Sequence, residues 1–405
     1  MKIVYHHRTR ATDAQRVHIL EMVHAFRRLG HEVAIVSLVD VERPQDASRE
    51  AGEAPWKKIV RKVPYAYEII QLGYNLLGIP LLLRKVISWN PDFLYERYSL
   101  FNFSGVLIAY ITKKPLILEV NSPFYLEQKS DRDIRALRLA AWMERRICRA
   151  ASKVIVVSNP LKRIMVELGV PIDRLIVMSN GINPDEMRMV DESEPLRRQL
   201  GISGKVVIGF VGWFKKWHGL EYLLQSFQES GLSAQNAAVL LIGDGPAMSD
   251  LRRFVAANGL QHSVVFTGAL PHDEVPRYLN AIDIAVQPAA NEYCCPMKIL
   301  EYMGIGKPLV APRQENITEL VRDGVDAELF TPGDKGDLTR ALVSMVTQSG
   351  RRASMGIAAR QVIFDRGYLW TSNAQRVIDL AEVARTMESG DVDGGQRRDT
   401  RTSGR

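Results

Sequence analysis

Between Gln287 and Pro312 the sequence reads QPAANEYCCPMKILEYMGIGKPLVAP, and its chemistry-bearing residues are Glu292, Cys294, Cys295, Lys298 and Glu301. An apolar run, Ile282 to Val286, ends in a loop that holds Glu292. Pro296 then opens an amphipathic segment, which Gly304 and Gly306 close before a second apolar run, Leu309 to Ala311. That is the pattern of strand, loop, helix, strand. Proline suits a first helical position because its missing N–H would have no partner there. The free N–H groups behind it, with the helix dipole, form a seat for an anion such as a diphosphate. Glu301, five residues beyond Pro296, can accept hydrogen bonds from vicinal hydroxyls beside that seat. A phosphate seat next to such a carboxylate suits a nucleotide ribose. The competing reading is a surface helix with an ordinary exposed glutamate.

Other candidates lie at the ends of apolar runs. The loop GWFKKWHG, Gly212 to Gly219, carries Lys215, Lys216 and His218; a histidine can donate a hydrogen bond when neutral or add charge as imidazolium. AVLLIGDGP, Ala238 to Pro246, is a strand ending in Gly243, Asp244 and Gly245, where glycine allows close approach of backbone to a ligand. Near the N-terminus, Arg8, Arg10, Arg16 and His18 follow the first strand as candidates to contact a phosphate or sugar; solvated arginines on a loop are the alternative. PLILEVNSP puts Glu119, Asn121 and Ser122 at the carboxyl end of a strand, where open α/β sheets bind ligands. Asn121 can bind a hydroxyl but cannot transfer a proton near neutral pH. Cys294 and Cys295 lack an accompanying His/Cys cluster at ligand spacing, so packing or lining is their expected role and no metal site is expected.

These residues need a scaffold. Lys2 to His7 reads as a strand, VHILEMVHAFRRLGHEV as a helix ending at Gly30, and Val33 to Leu38 as a second strand. This Rossmann-like opening lacks GxGxxG, which argues against a dinucleotide dehydrogenase. Further strands are expected at Phe93–Tyr98, Pro115–Pro123, Lys153–Ser158 and Leu175–Asn180. After the polar linker Asp191 to Gly204, the alternation restarts with the strand Val206–Val211 and the helix Leu220–Gln228. A strand and loop at Val264–Leu270, a helix at Ile317–Gly324, and a strand and turn at Glu328–Asp334 follow, then helix to about Gly367. The tail 388–405 is charged, Gly-rich and nearly free of apolar residues, a composition that favours disorder.

A chain of 405 residues is long for one core and natural for two domains. Its 46% hydrophobic and 24% charged content is ordinary for globular proteins. Three cysteines cannot make a disulfide framework, which suits a reducing cytosol, and the N-terminus MKIVYHHRTR starts directly into a strand rather than a signal peptide. Residues 1–190 carry 29 Lys and Arg against 20 Asp and Glu, and the remainder 24 against 26. A basic N-terminal half can face anionic lipid, a phosphorylated acceptor or nucleic acid; nucleic acid is disfavoured because no recognised binding motif appears. The span Ile69–Leu83 lacks formal charge but is too short, and too broken by Gly73, Gly78 and Pro80, to cross a bilayer needing about 20 apolar residues. Behind Lys57, Lys58, Arg61 and Lys62 it could lie in a membrane interface or be a buried helix.

Pro-x-Lys-x-x-Glu-Tyr-Met at 296–303 with Gly-x-Pro at 306–308 resembles the donor-binding segment of family 4 glycosyltransferases, and the likeness extends over about residues 1–385. It implies the α/β GT-B fold: a Rossmann-like acceptor domain at 1–190, a donor domain at 203–369, and a helix at 370–387 crossing back to the first. It implies that a nucleotide-sugar donor lies against Gly212, Trp213, Gly243, Gly245, Thr267, Gly268, Cys295, Pro296, Met297, Ile299 and Glu301. Lys216, His218, Glu292 and Lys298 are the implied catalytic group, and Arg8, Arg10, His18, Glu119 and Asn121 the implied acceptor side. The family's diphosphate-gripping Arg and Lys are here Trp213 and His218. Its second glutamate falls on Tyr293 with Glu292 one residue off, so either the loop bulges or the acid is replaced. The implied reaction is retaining hexosyl transfer to an acceptor hydroxyl, without metal or separate cofactor, in the cytoplasm or at the inner face of its membrane. The expected acceptor is a lipid-linked or polysaccharide-precursor glycan, with an anionic membrane surface as a further partner. A nucleotide-sugar epimerase and a non-catalytic nucleotide-sugar-binding protein are the rival readings.

Overall fold

The computed structural model describes residues 1–8, 14–42, 63, 65–131, 134–189 and 193–394. The chain divides into two compact units, Met1–Met178 with Trp370–Arg405, and Ser179–Leu369. Each unit is built on its own parallel sheet of six described strands.

In the first unit β1 (Lys2–His6), β2 (Glu32–Val36), β3 (Phe93–Arg97), β4 (Leu116–Val120), β5 (Lys153–Val156) and β6 (Leu175–Val177) lie in the order β2-β1-β3-β4-β5-β6. β3 and β4 are buried at every position. Strands covered on both faces need no polar alternation, which is why LILEV reads as a nearly continuous apolar run. The buried charges Glu96, Arg97 and Glu119 on them must therefore be paired within the protein. Strand order reverses between β1 and β3, so the carboxyl ends of those strands border a crevice.

Two expectations change in this unit. The apolar span becomes a helix of 24 residues, Ala66–Trp89, with Pro80 inside it. Neither glycine nor proline breaks it: a Cβ on Gly78 would stand 2.8 Å from the Tyr74 ring and 2.9 Å from Ser104 Oγ, so glycine is what lets the helix pack closely, and Pro80 faces solvent. This helix has the length and composition to cross a membrane, contrary to the shorter span read from sequence. The last helix, Trp370–Gly394, also runs past residue 387 into the stretch expected to be disordered; 395–405 lie outside the described residues, as do Arg10, Lys57, Lys58, Arg61 and Lys62.

The second unit orders β7 (Val206–Val211), β8 (Ala237–Ile242), β9 (Val264–Phe266), β10 (Ile284–Val286), β11 (Leu309–Pro312) and β12 (Ala327–Phe330) as β12-β11-β10-β7-β8-β9. Its core packs Phe210, Phe214, Phe227, Leu241 and Phe330 between the sheet and the helices Leu220–Glu229 and Lys335–Thr347. Residues 179–189, which the sequence groups with the first half, belong here for concrete reasons. The Asn180 backbone N–H donates to Cys295 Sγ at 3.3 Å and its Nδ2 to the Cys295 carbonyl at 2.8 Å, and the Ile182 N–H donates to the Tyr368 carbonyl at 3.0 Å. The helix expected over Ile317–Gly324 is only Glu315–Thr318, because the chain turns back and the Asp326 carboxylate takes the Arg322 backbone N–H. In this sheet the order reverses between β7 and β10. The loops leaving those two strands are the lysine-rich loop 212–219 and the loop 287–296.

Candidate active site

The loop after β10 is held from behind by amides. Asn316 Nδ2 donates to the carbonyls of Asn291 at 2.9 Å and Cys294 at 2.7 Å, and Gln314 Nε2 donates to that of Ala290 at 3.2 Å. The loop delivers Pro296 as the N-cap of the helix Met297–Gly304, so the helix starts one residue later than the sequence pattern suggests. The next two backbone N–H groups, of Met297 and Lys298, have no acceptor among the described residues, while that of Ile299 donates to the Pro296 carbonyl at 3.1 Å. The buried Tyr302 hydroxyl fixes the helix against the sheet by accepting the Val211 N–H at 2.9 Å. Its other end is closed by Arg360, whose guanidinium donates to the Gly304 carbonyl at 2.6 Å. An open, rigidly mounted helix N-terminus is an anion seat.

Lys298 points into the space beside the loop after β7. Its ammonium lies 4.3 Å from the centroid of the Phe210 ring and 3.3 Å from His218 Nε2. Loss of solvation pushes its pKa down to about 8, against an opposing pull from Glu301. Burial, then the Lys298 ammonium, pushes His218 down to about 3, so this imidazole is neutral at physiological pH. An ammonium only donates, so Nε2 accepts from it, while the Lys215 backbone N–H faces Nδ1 at 3.4 Å. His218 is thus a buried acceptor that aims the lysine rather than a second cation. Lys215 is close enough to depress both groups further. Lys216, expected in the catalytic group, is exposed and, with the likewise exposed Lys215, lines a groove beside Glu221, Asp250 and Arg253. Trp213 is also exposed.

The glycines lace the floor of the site. Gly212, Gly243 and Gly245 all have positive φ, and a Cβ on Gly243 would stand 2.1 Å from the Gly212 carbonyl oxygen. Gly243 N–H is taken by Thr267 Oγ1 at 3.1 Å, and that hydroxyl donates to the Gly268 carbonyl at 2.8 Å. Glycine at 243 therefore serves loop-against-loop packing, a need the sequence does not separate from ligand approach. Cys295 is buried and held by Asn180. Ile299 is fully enclosed in the core, so its side chain cannot line a ligand surface.

Glu301 is half-buried, and its carboxylate accepts no hydrogen bond from the described residues. Burial raises its pKa, partly offset by His272 and Lys298. A carboxylate deprived of donors beside an open anion seat is ready for hydroxyl donors. Glu292 is exposed, while Tyr293 is half-buried with its hydroxyl 3.5 Å from Asn291 Nδ2; Glu292 is the acid this loop leaves in the open.

In the first unit the acceptor-side candidates separate. His18 and Glu119 are buried, 3.2 Å apart. Arg97 Nη1 lies 2.9 Å from Glu119 and 3.0 Å from His18 Nδ1, and Tyr95 and Asn121 also donate to Glu119. Burial would raise the pKa of Glu119, but His18, Arg97 and these hydrogen bonds hold it below the usual value. With its oxygens so occupied, Glu119 is a buried structural node, and His18 packs edge-on against Trp370 at 4.7 Å. Arg8 differs. Its guanidinium donates to the Gln71 carbonyl at 3.1 Å and lies 5.5 Å from the Tyr74 ring centroid, at the carboxyl end of β1. Sequence reasoning missed the buried pair beside it: His6 Nδ1 is 2.6 Å from Glu96, and Gly105 is required because a Cβ there would stand 1.9 Å from that carboxylate.

Comparison with known proteins agrees with this architecture. The chain matches Glycosyltransferase Family 4 over residues 15–186 and Glycosyl transferases group 1 over residues 205–348. The 2-deoxystreptamine N-acetyl-D-glucosaminyltransferase of Streptomyces fradiae is 30% identical over 285 residues, covering 67% of this chain and 66% of that protein. The alpha-D-kanosaminyltransferase of Streptomyces kanamyceticus is 24% identical over 259 residues, covering 62% of this chain and 67% of that protein. The chain thus spans about two thirds of the length of these relatives. Anabaena Alr3699/HepE, solved in complex with UDP, superposes with a TM-score of 0.71 at 19% identity, over 95% of this chain and 100% of that one; at that identity the likeness is one of fold. Two parallel sheets of this topology, together with both sequence matches, place the chain in the family 4 (group 1) glycosyltransferases of GT-B fold.

Proposed function

We propose that this protein transfers a hexosyl unit from a nucleotide sugar to an acceptor hydroxyl with retention of anomeric configuration. The observation that carries the reading is the open N-terminus of the helix Met297–Gly304, with the Lys298 ammonium beside it and Glu301 lacking donors. In this reading the diphosphate takes the Met297 and Lys298 N–H groups, and the ribose hydroxyls donate to Glu301. Lys298 and Lys215 neutralise charge on the departing diphosphate, and fixed donors of this kind need no reorganisation as charge develops. No bound cofactor or metal takes part, so activity should survive EDTA.

The acceptor is a lipid-linked or polysaccharide-precursor glycan. Arg8, held by Gln71 and Tyr74 at the carboxyl end of β1, supports this because it can grip a phosphate. The site of action is the cytoplasm, at the inner face of its membrane; Cys148, Cys294 and Cys295, with no disulfide among the described residues, favour a reducing compartment. A second reading, an aminocyclitol acceptor, is favoured by the name of the Streptomyces fradiae relative.

The test is a donor panel read by thermal shift on wild type and Glu301→Ala, followed by transfer assays with lipid-phosphate and aminocyclitol acceptors and NMR of the product anomer. A nucleotide sugar that stabilises wild type but not the variant supports the site. An inverted product would overturn retention, and an altered sugar nucleotide formed without acceptor would mark an epimerase. Binding of no nucleotide sugar would overturn the proposal.

A further inference from the structure

The helix Ala66–Trp89 has two unlike faces. Its inner face is tied into the first unit: Asn75 donates to the Phe101 carbonyl at 2.9 Å and accepts from the Phe103 N–H and Ser104 Oγ, both at 3.0 Å. Glu68, buried near its start, accepts the backbone N–H groups of Arg135 and Ala136 at 2.7 and 2.9 Å. The outer face follows helical spacing through Ile69, Ile70, Leu76, Leu77, Leu81 and Ile87, and Leu76 is 79% exposed. The helix Ser104–Thr112 packs along it and adds Tyr110, 73% exposed, and Ile111. Isolated exposed apolar residues are ordinary, but a contiguous stripe on one face marks an interaction surface.

Charge decides what covers it. No Asp or Glu occurs between Glu68 and Asp92, or between Glu96 and Glu119, and Glu68 is spent on its two N–H groups. Arg84, within the stripe between Leu81 and Ile87, and Lys113, just after Ile111, are exposed, with Lys113 Nζ 4.7 Å from the Tyr110 ring centroid, and Lys85 Nζ lies 4.9 Å from that of Trp89. An apolar stripe bordered by cations and aromatic rings, on two helices that expose no acid of their own, complements an anionic lipid surface. A second copy of the same face would bring like charges together. Spanning is excluded by the inner face, because a helix bonded to protein through Asn75 cannot be ringed by lipid without breaking those bonds.

We propose that the outer face of the helix Ala66–Trp89, with Tyr110 and Ile111, lies in the interface of an anionic bilayer. This deepens the membrane-side reading of the acceptor but does not depend on it, since binding to vesicles needs neither donor nor acceptor. Failure here therefore leaves nucleotide binding untouched, and the reverse holds.

The test is flotation of the full chain with phosphatidylglycerol-containing vesicles and with pure phosphatidylcholine vesicles. Wild type should float with the anionic vesicles at low salt, less at high salt, and little with neutral ones. Leu76→Glu/Leu77→Glu should abolish flotation while melting at the wild-type midpoint. Arg84→Gln and Lys113→Gln should each weaken it about fivefold. No flotation, flotation indifferent to lipid charge, or flotation unaltered in Leu76→Glu/Leu77→Glu would overturn the proposal. So would light scattering showing a dimer that this double variant dissociates, which would make a second copy the occupant.

Discussion

Lys298 carries a charge that its surroundings disfavour. With its pKa down to about 8, the ammonium that would meet a diphosphate is present below pH 8 and lost above it. Bound anion restores the proton, so nucleoside diphosphate affinity should fall up to tenfold per pH unit above about 8 in wild type. In Lys298→Arg, whose charge persists, calorimetry across that range should show no such decline. Glu301 has the opposite sign. Its raised pKa means that its protonated form favours folding, a contribution present below the ordinary carboxylate pKa and lost as pH rises through the folded value. At neutral pH the charge therefore detracts from stability. Glu301→Gln should melt no lower than wild type without ligand, yet bind nucleotide roughly 10- to 100-fold more weakly as charge-assisted hydrogen bonds are lost. Within the lysine-rich loop, Lys215→Ala should slow turnover more than Lys216→Ala, because it is Lys215 whose charge reaches His218 and Lys298. Equal effects would remove that distinction.

The donor-side helix is held at both ends, and its far end offers a test of positioning. A Cβ on Gly356 would stand 2.2 Å from the Gly306 carbonyl oxygen, so Gly356→Ala must push the helix Ser349–Asp365 away from the turn that follows Met297–Gly304. The expected loss is about 1–3 kcal/mol, read as a lower urea midpoint. Elements of this kind were legible where chain pattern alone decides them: β7 and the start of the helix at Leu220 fall where the apolar runs and the glycine punctuation put them. The Pro296–Glu301 arrangement was legible too, since it lives in one stretch of chain. What escaped was set by distant partners. Nothing around Asn316 announces that its amide supports the loop at 291–294. Nothing around Glu119 tells that Arg97, Tyr95 and His18 use up its oxygens. The length of Ala66–Trp89 was underread because Gly78 and Pro80 count as breakers locally, whereas in place one relieves a close contact and the other faces water.

At the scale of the molecule, one unit is continuous in sequence and the other is not. Residues 179–369 hold a complete six-stranded sheet and its core. Expressed alone, this segment should melt cooperatively and retain the nucleotide-induced shift of the whole chain; a segment that fails to fold would show that its stability is borrowed. The first unit, by contrast, keeps its closing helix, Trp370–Gly394, at the far end of the chain. Trp370 packs on His18, and the helix lies along Ala14–Arg28. On the ribosome, where domains fold as they emerge, the second unit can therefore finish while the first, synthesised earlier, still waits with its His18–Arg97–Glu119 node uncovered. A chain cut anywhere before Trp370 would lack that closing helix, and cellular proteolysis should attack its opening half rather than the cut end.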